Sequence, residues 1–333
     1  MKRVLPAAGL FFLAPLVAEF LLGDLPINML GALVILAPLY GGGALLIREV
    51  ARRTGGGWFR IFALGLAYAI FEEAFTTQTL FNPNYLHLNL HLLQPAYIPA
   101  LGIGGWWTVY VLTLHTVWSI AVSVALAEAL VPDRAATPWL GKVGLAVTAV
   151  LFLFGAAASV GITLKQDRFM ASGAQFAGAA LVCVIIIAAS FGLHGRRSSE
   201  GTAAGAAPGP WLAGAAALAA GSIFLVTPKQ WAWGAVAVYA LLDLAMVALV
   251  ARWSRSAGWS GIHRLALAGG AALAYAWHAF VQTPAVGSAG MADRIGNAIF
   301  GAALIAVLAI AARRNSGLRL VTADGPGRPT SWR

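Results

Sequence analysis

The chain has 333 residues, of which 60% are hydrophobic and only 10% charged, with a formal net charge of +10. A soluble globular domain carries about a quarter charged residues, so this composition excludes that class and leaves a membrane protein. The one cysteine, Cys183 in an apolar run, excludes an internal disulfide and a Cys-rich metal site. The basic residues sit in short connections without a groove-binding motif, which excludes nucleic acid as a partner.

Met1-Lys2-Arg3 leads into an apolar run that lacks a clear cleavage site before Glu19, so it reads as a retained first helix rather than a signal peptide. Ten apolar stretches follow one another, near 6–22, 27–47, 58–80, 105–131, 143–164, 172–193, 210–227, 230–251, 264–282 and 296–312. Each approaches the roughly 20 residues that a helix needs to span a bilayer. The predicted fold class is therefore all-α, a polytopic helical bundle of about ten transmembrane helices. Residues 1–193 hold spans one to six with a polar pocket, and 194–210 form a flexible Gly/Ala/Pro-rich linker. Spans seven to ten occupy 211–312, and 313–333 read as a disordered polar tail.

The loops set an orientation. With a cytoplasmic N-terminus, only Lys165, Arg168, Lys229 and Arg294 fall on the outer side, against 18 of the 22 basic residues on the inner side. That is the excess the positive-inside rule demands, and it predicts a plasma (inner) membrane protein with both termini and the linker cytoplasmic. The expected partners are the bilayer itself, anionic inner-leaflet lipids near the basic loops, and an unidentified small solute or peptide. The 81–105 loop has no Lys or Arg and carries Tyr85 and Tyr97 ahead of Trp106-Trp107, so it is expected to lie on, or fold back into, the outer leaflet. Glycines recur in the spans, at Gly41 to Gly43, Gly155 to Gly161, Gly214 to Gly221 and Gly269-Gly270, where small residues let backbones approach closely.

The chemistry concentrates in the third and fourth spans. Glu72 and Glu73 stand side by side in an apolar segment and are followed by Thr76, Thr77 and Thr79. A carboxylate near the bilayer centre costs about 3 kcal/mol or more, so such acids face a protein interior or a wet cavity. In the fourth span Thr108, His115, Ser119 and Ser123 form one stripe on a helical wheel. At about 1.5 Å per residue, Glu72 lies roughly 20 Å from one membrane face and His115 roughly 15 Å from the other, which puts them at nearly the same depth. Consecutive helices are usually neighbours, so a polar pocket of Glu72, Glu73, Thr76, His115 and Ser119 is expected, in which two close carboxylates cannot both ionise cheaply and one could carry a proton. The alternative is a satisfied structural network of ordinary interhelical hydrogen bonds.

Secondary candidates are Glu19, which either joins the pocket or lies near an interface, and Asp243 and His278. Arg48-Glu49 reads as a solvated or paired helix end, and Glu128 as interfacial. His87 and His91 are spaced i, i+4 but lack a third ligand, so no metal site is assigned, and no cofactor is readable. Tyr68-Ala-Ile-Phe-Glu72 is echoed by Tyr239-Ala-Leu-Leu-Asp243, and His115 by His278, five spans later. An odd offset reverses orientation, so a true repeat would be inverted, as in many secondary transporters.

The run Glu72-Glu73 to Leu80-Phe81-Asn82-Pro83-Asn84, with Leu114-His115 to Ser119 in the next span, resembles an uncharacterised prokaryotic multi-pass membrane protein family, which implies a shared core over spans two to five and no activity. The Glu pair and His115 also resemble glutamate-type CAAX-processing and bacteriocin-processing intramembrane proteases. That resemblance implies a Glu general base with His and Asn stabilising an oxyanion. Thr77 stands where that motif has Arg, Val111 where it has Phe, and the late pair is His278 and Gln282, five spans on. The function read from the sequence is a transporter or permease for a small solute or ion using the Glu/His cluster. The alternatives are an intramembrane glutamate-type hydrolase, or a structural or assembly partner in the membrane.

Overall fold

A computed structural model describes residues 4–192 and 205–323. Most of the 194–210 linker and the end of the tail therefore lie outside the described residues. Ten helical segments fall on the ten apolar stretches: α1 Leu5–Phe20, α2 Ile27–Arg53, α3 Gly57–Phe71 with its continuation Glu72–Thr76, α4 Gly105–Ala129, α5 Lys142–Asp167, α6 Gly173–Gly192, α7 Pro210–Val226, α8 Trp233–Trp253, α9 Gly261–His278 and α10 Met291–Ala323. Six of these, α2, α4, α5, α6, α8 and α10, are long and apolar enough to cross a membrane on length and composition. Helices suit that setting because hydrocarbon offers no partner to a backbone amide. The only strands among the described residues are the two-residue pair Tyr97–Ile98 and Ile103–Gly104.

Helix α4 is the hub, packing against α3, α8 and α9. In its most apolar window 67% of residues are buried, against 11% in α6 and α8, so α4 is walled in by protein while α6 and α8 turn apolar sides outward. Such faces match lipid, not water. The 82–104 connection folds over one end of the bundle. Leu92 joins the core beside Trp106 and Tyr239, and Asp167 at the end of α5 clamps the connection by accepting from Asn82 Nδ2 at 2.7 Å and Leu86 N at 2.8 Å.

Four stretches depart from α-helix into π-helix: Leu16–Phe20 in α1, Ala37–Gly41 in α2, Glu72–Thr76 after α3 and His115–Val122 in α4. Two carry a sequence cause. Pro15 lacks the N–H that would bind the Phe11 carbonyl, and Pro38 interrupts α2 in the same way. The Phe11 carbonyl, one turn before Pro15, is met by Gly41, where an added Cβ would collide with the oxygen. Gly155 against Leu39 and Gly270 against Gly214 are comparably tight, whereas Gly161 faces open space, so the small-residue reading holds for particular pairs and not for every glycine. Gly41→Ala is expected to push α1 from α2 and cost about 1–3 kcal/mol. Thermal unfolding in detergent checks this, with Gly161→Ala as the neutral control.

Three boundaries differ from the sequence reading. The third span was read to residue 80, but its helix ends at Thr76, and Gln78 takes a left-handed φ of 58°. Thr79 thus reaches the site through a turn rather than on a helical face. The last helix continues to Ala323, past the 312 boundary expected from hydropathy. The end of the linker is packed too, with Ala206 bridging to Ala257 and the Pro208 carbonyl facing His263 Nε2 at 3.0 Å.

At the end of the bundle away from the 82–104 connection, the basic residues form a closed lattice. Arg48, fully buried, donates to Glu128 at 3.1 Å, to Glu49 at 2.8 Å and to the carbonyls of Arg134, Ala135 and Thr137 at 2.8–3.2 Å. Its guanidinium lies 3.4 Å from the centre of the Trp139 ring. Arg52 grips Glu128 through two bonds of 2.7 and 2.6 Å, and Arg53 reaches Glu49. The pairing expected of Arg48-Glu49 is present, and Glu128, near the end of α4, is buried within the same lattice.

Candidate functional site

Glu72, Glu73, Thr76, His115 and Ser119, the five residues of the expected pocket, are all buried and lie together where α3 ends against the middle of α4. His115 Nε2 meets Glu73 Oε1 at 2.8 Å, and His115 Nδ1 meets Ser119 Oγ at 3.1 Å. The other oxygen of Glu73 accepts from the hydroxyls of Thr79 and, at 3.3 Å, Thr77. Thr79 in turn accepts from Trp107 Nε1 at 2.8 Å, which links this corner of the site to the start of α4. Glu73 is therefore fixed from both sides.

Glu72 is held differently. Its Oε2 is buried without a hydrogen-bond partner and lies 3.5 Å from His115 Nδ1. When a neutral ring donates Nε2–H to Glu73, Nδ1 is an acceptor, so it accepts a hydrogen bond from the Ser119 hydroxyl and faces Glu72 acceptor to acceptor. The main chain of Glu72 closes the π turn, its carbonyl accepting from Thr77 N at 3.0 Å and Thr76 Oγ1 at 2.7 Å. Thr76 thus serves the backbone and not the carboxylates.

Two further helices complete the wall. Tyr40, from the π turn of α2, packs its ring 5.6 Å from the His115 ring, and Tyr68 packs 6.4 Å from it at a T-shaped angle. The Tyr40 hydroxyl sits between the carboxylates of Glu72 and Glu19. Glu19, partly buried on the π turn of α1, therefore joins the centre. All four π-helical stretches among the described residues converge here, and each contributes a polar side chain: Glu19, Tyr40, Glu72 with Glu73, and His115 with Ser119. π turns are rare and concentrate at functional sites, because the extra residue re-aims a side chain that a regular helix would point elsewhere.

Asp243 and His278 do not join the centre. Asp243 accepts from Thr113 Oγ1 at 2.8 Å, and His278, whose Nδ1 has no partner, packs edge-on to Trp277 beside Gln282. Thr108 and Ser123 of the α4 stripe bond to backbone carbonyls of their own helix neighbourhood, Gly104 and Trp118. His87 and His91 take left-handed φ values of 56° and 53°, so their i, i+4 spacing is not a helical one. Tyr40 and Trp107 were missed by the sequence reading. Pro38 ahead of the Gly41 to Gly43 run was the available signal for Tyr40, since it marks a bend whose neighbour must point inward.

One group of three possible metal-holding side chains occurs among the described residues: a ligand atom from each of Glu72, Glu73 and His115 lies within 4.8 Å of the others. No Lys or Arg is ion-paired with these acids among the described residues. The chain belongs to an uncharacterized membrane protein family, which it matches over residues 10–325. No match was found among curated proteins or among solved structures.

Proposed function

We propose that the chain is a transporter or permease for a small solute or ion, with Glu72, Glu73 and His115 as the binding centre. One observation carries this reading. Three carboxylates, those of Glu19, Glu72 and Glu73, surround a single histidine, with no Lys or Arg paired to them among the described residues. His115 can offset at most one of the three charges, and a buried charge left uncompensated costs several kcal/mol, so the centre is most stable with further positive charge supplied from outside the protein. Proteoliposomes containing the full chain and challenged with ion or pH gradients should show uptake absent from empty vesicles. A tight, flux-free vesicle under every gradient would remove the reading.

A second reading, an intramembrane hydrolase, is favoured by the free oxygen of Glu72, which is available to take a proton from water. Against it stands the engagement of the implied oxyanion donors elsewhere: Gln282 donates to Asp24, and neither it nor His278 contacts the Glu pair. Turnover of peptide or ester substrates by the same proteoliposomes distinguishes the two.

The orientation follows from the loop charges. The Arg-rich end with the Arg48 lattice lies in the cytoplasm of a plasma membrane, against anionic lipid, and the 82–104 connection lies outside. In a Cys183→Ser background, an impermeant maleimide on intact cells is expected to label Asn89→Cys and to spare Ala136→Cys. The reverse pattern would invert the topology.

A further inference from the structure

We propose that Glu72, Glu73 and His115 bind one divalent transition-metal cation of the Zn²⁺, Mn²⁺ or Fe²⁺ class. The inference rests on the reading of this centre as a cation-handling site and names the ion it takes. Three observations converge on it. The donor set is two carboxylates and one imidazole, whose candidate atoms lie within 4.8 Å of one another. Tetrahedral ligands at about 2.0–2.2 Å from a common ion stand about 3.3–3.6 Å apart, so the ion requires the most separated of these side chains to close by about 1 Å, within the reach of a glutamate rotamer. Glu72 Oε2, on a residue 1% exposed, accepts no hydrogen bond and lies beside the His115 ring, 3.5 Å from Nδ1, so a buried carboxylate oxygen next to the Glu73–His115 Nε2 pair is left to take a ligand.

The surroundings are those of held ligands. A metal-bound histidine almost always engages its second nitrogen with another group, and Ser119 occupies His115 Nδ1 at 3.1 Å. Thr77 and Thr79 hold one oxygen of Glu73 and leave its Oε1 turned toward His115. Charge agrees as well, because two carboxylates and a neutral imidazole are balanced by a dication. The imidazole and the few oxygens argue against Ca²⁺, which takes six to eight oxygen ligands, and the absence of sulfur argues against soft ions.

The test uses the full chain in detergent, stripped with a chelator and titrated calorimetrically with Zn²⁺, Mn²⁺ and Mg²⁺ separately, with elemental analysis after desalting. One Zn²⁺ or Mn²⁺ per chain is expected, with Mg²⁺ far weaker. Glu72→Gln should weaken binding by about 100-fold or more, and Ser119→Ala by about 10–100-fold through loss of ring orientation. His87→Ala with His91→Ala should change nothing. Melting curves in chelator establish that each variant is folded, and Glu72→Asp, which keeps the charge, should retain part of the affinity if Glu72→Gln does not fold. Absence of stoichiometric binding by the folded wild type, or binding that survives Glu72→Gln and disappears with the His87/His91 pair, overturns the proposal. A Zn²⁺ or Mn²⁺ gradient across proteoliposomes separates cargo, which crosses, from a resident ion, which stays bound without flux. Solute uptake by a chain that binds no metal would overturn the metal site and leave the transporter reading. Tight binding without any flux would do the opposite.

Discussion

Replacing Arg48 with methionine is expected to lower the unfolding free energy by about 3–5 kcal/mol, the cost of breaking a buried ion pair by removing one partner. Arg48 is wholly inaccessible and uses all three guanidinium nitrogens. Nε meets Glu128, Nη1 meets Glu49, and Nη2 is shared among three carbonyls of the 134–137 connection. Methionine fills a similar volume and can keep some contact with Trp139, but it takes the guanidinium donor from the Ala135 and Thr137 carbonyls, while that of Arg134 keeps Thr137 and Trp139, and it leaves two buried carboxylates short of one cation. Glu128 keeps its two-bond grip on Arg52, and Glu49 keeps Arg53 and the amides of Trp139 and Leu140. These residual partners are why the expected loss is not larger. Lysine at position 48 supplies the charge but not the planar fork, so Arg48→Lys should fall between methionine and wild type. Thermal or denaturant unfolding in detergent measures the series, and faster proteolysis within 132–141 should accompany it because Arg48 anchors that connection. A methionine variant that melts like wild type would show the lattice to be dispensable.

The membrane architecture was legible because the solvent imposes it. Ten apolar stretches near spanning length can hardly do anything in hydrocarbon except form helices, and the helices coincide with them. The meeting of Glu73 with His115 was legible for the same reason, since two costly groups at equal depth on consecutive helices have few other places to go. Legibility failed where the helix itself changes. An ideal wheel put Thr79 on the face of Glu73, whereas the contact forms because the helix stops at Thr76 and the chain turns back. The wheel could not foresee the π turns at Glu19 and Tyr40 either, so Glu19 stayed open between the pocket and an interface and Tyr40 was left unconnected to the centre. Asp243 and His278 were attractive as echoes of residue type. Matching letters carry no information about azimuth or neighbours, and Asp243 instead meets Thr113 on the α8 side of α4.

The two adjacent glutamates should respond unequally to the same substitution. Glu72 Oε2 accepts no hydrogen bond and a glutamine keeps one acceptor oxygen for the Tyr40 and Tyr68 hydroxyls beside it, so Glu72→Gln removes one charge from a crowded acidic centre at little structural cost. Its stability should be neutral or slightly raised. Its function should be abolished: uptake vanishes if the carboxylate binds the transported cation, and hydrolysis falls by about 10²–10⁴ if it is a general base. Glu73→Gln is a different injury. The carboxylate accepts at both oxygens, from His115 on one side and from Thr77 and Thr79 on the other, and a glutamine must point its NH₂ at one of those groups. Thr79 already accepts from Trp107, so an amide turned toward it forces that hydroxyl to reorient, while an amide turned toward His115 sets donor against donor. Leaving a buried polar group unsatisfied costs about 1–3 kcal/mol, so Glu73→Gln should lose stability as well as activity. Parallel melting curves, uptake and hydrolysis assays on both variants separate the roles. Equal destabilisation of the two would contradict the division between a fixed and a free carboxylate, and full activity of Glu72→Gln would return the pair to a purely structural network.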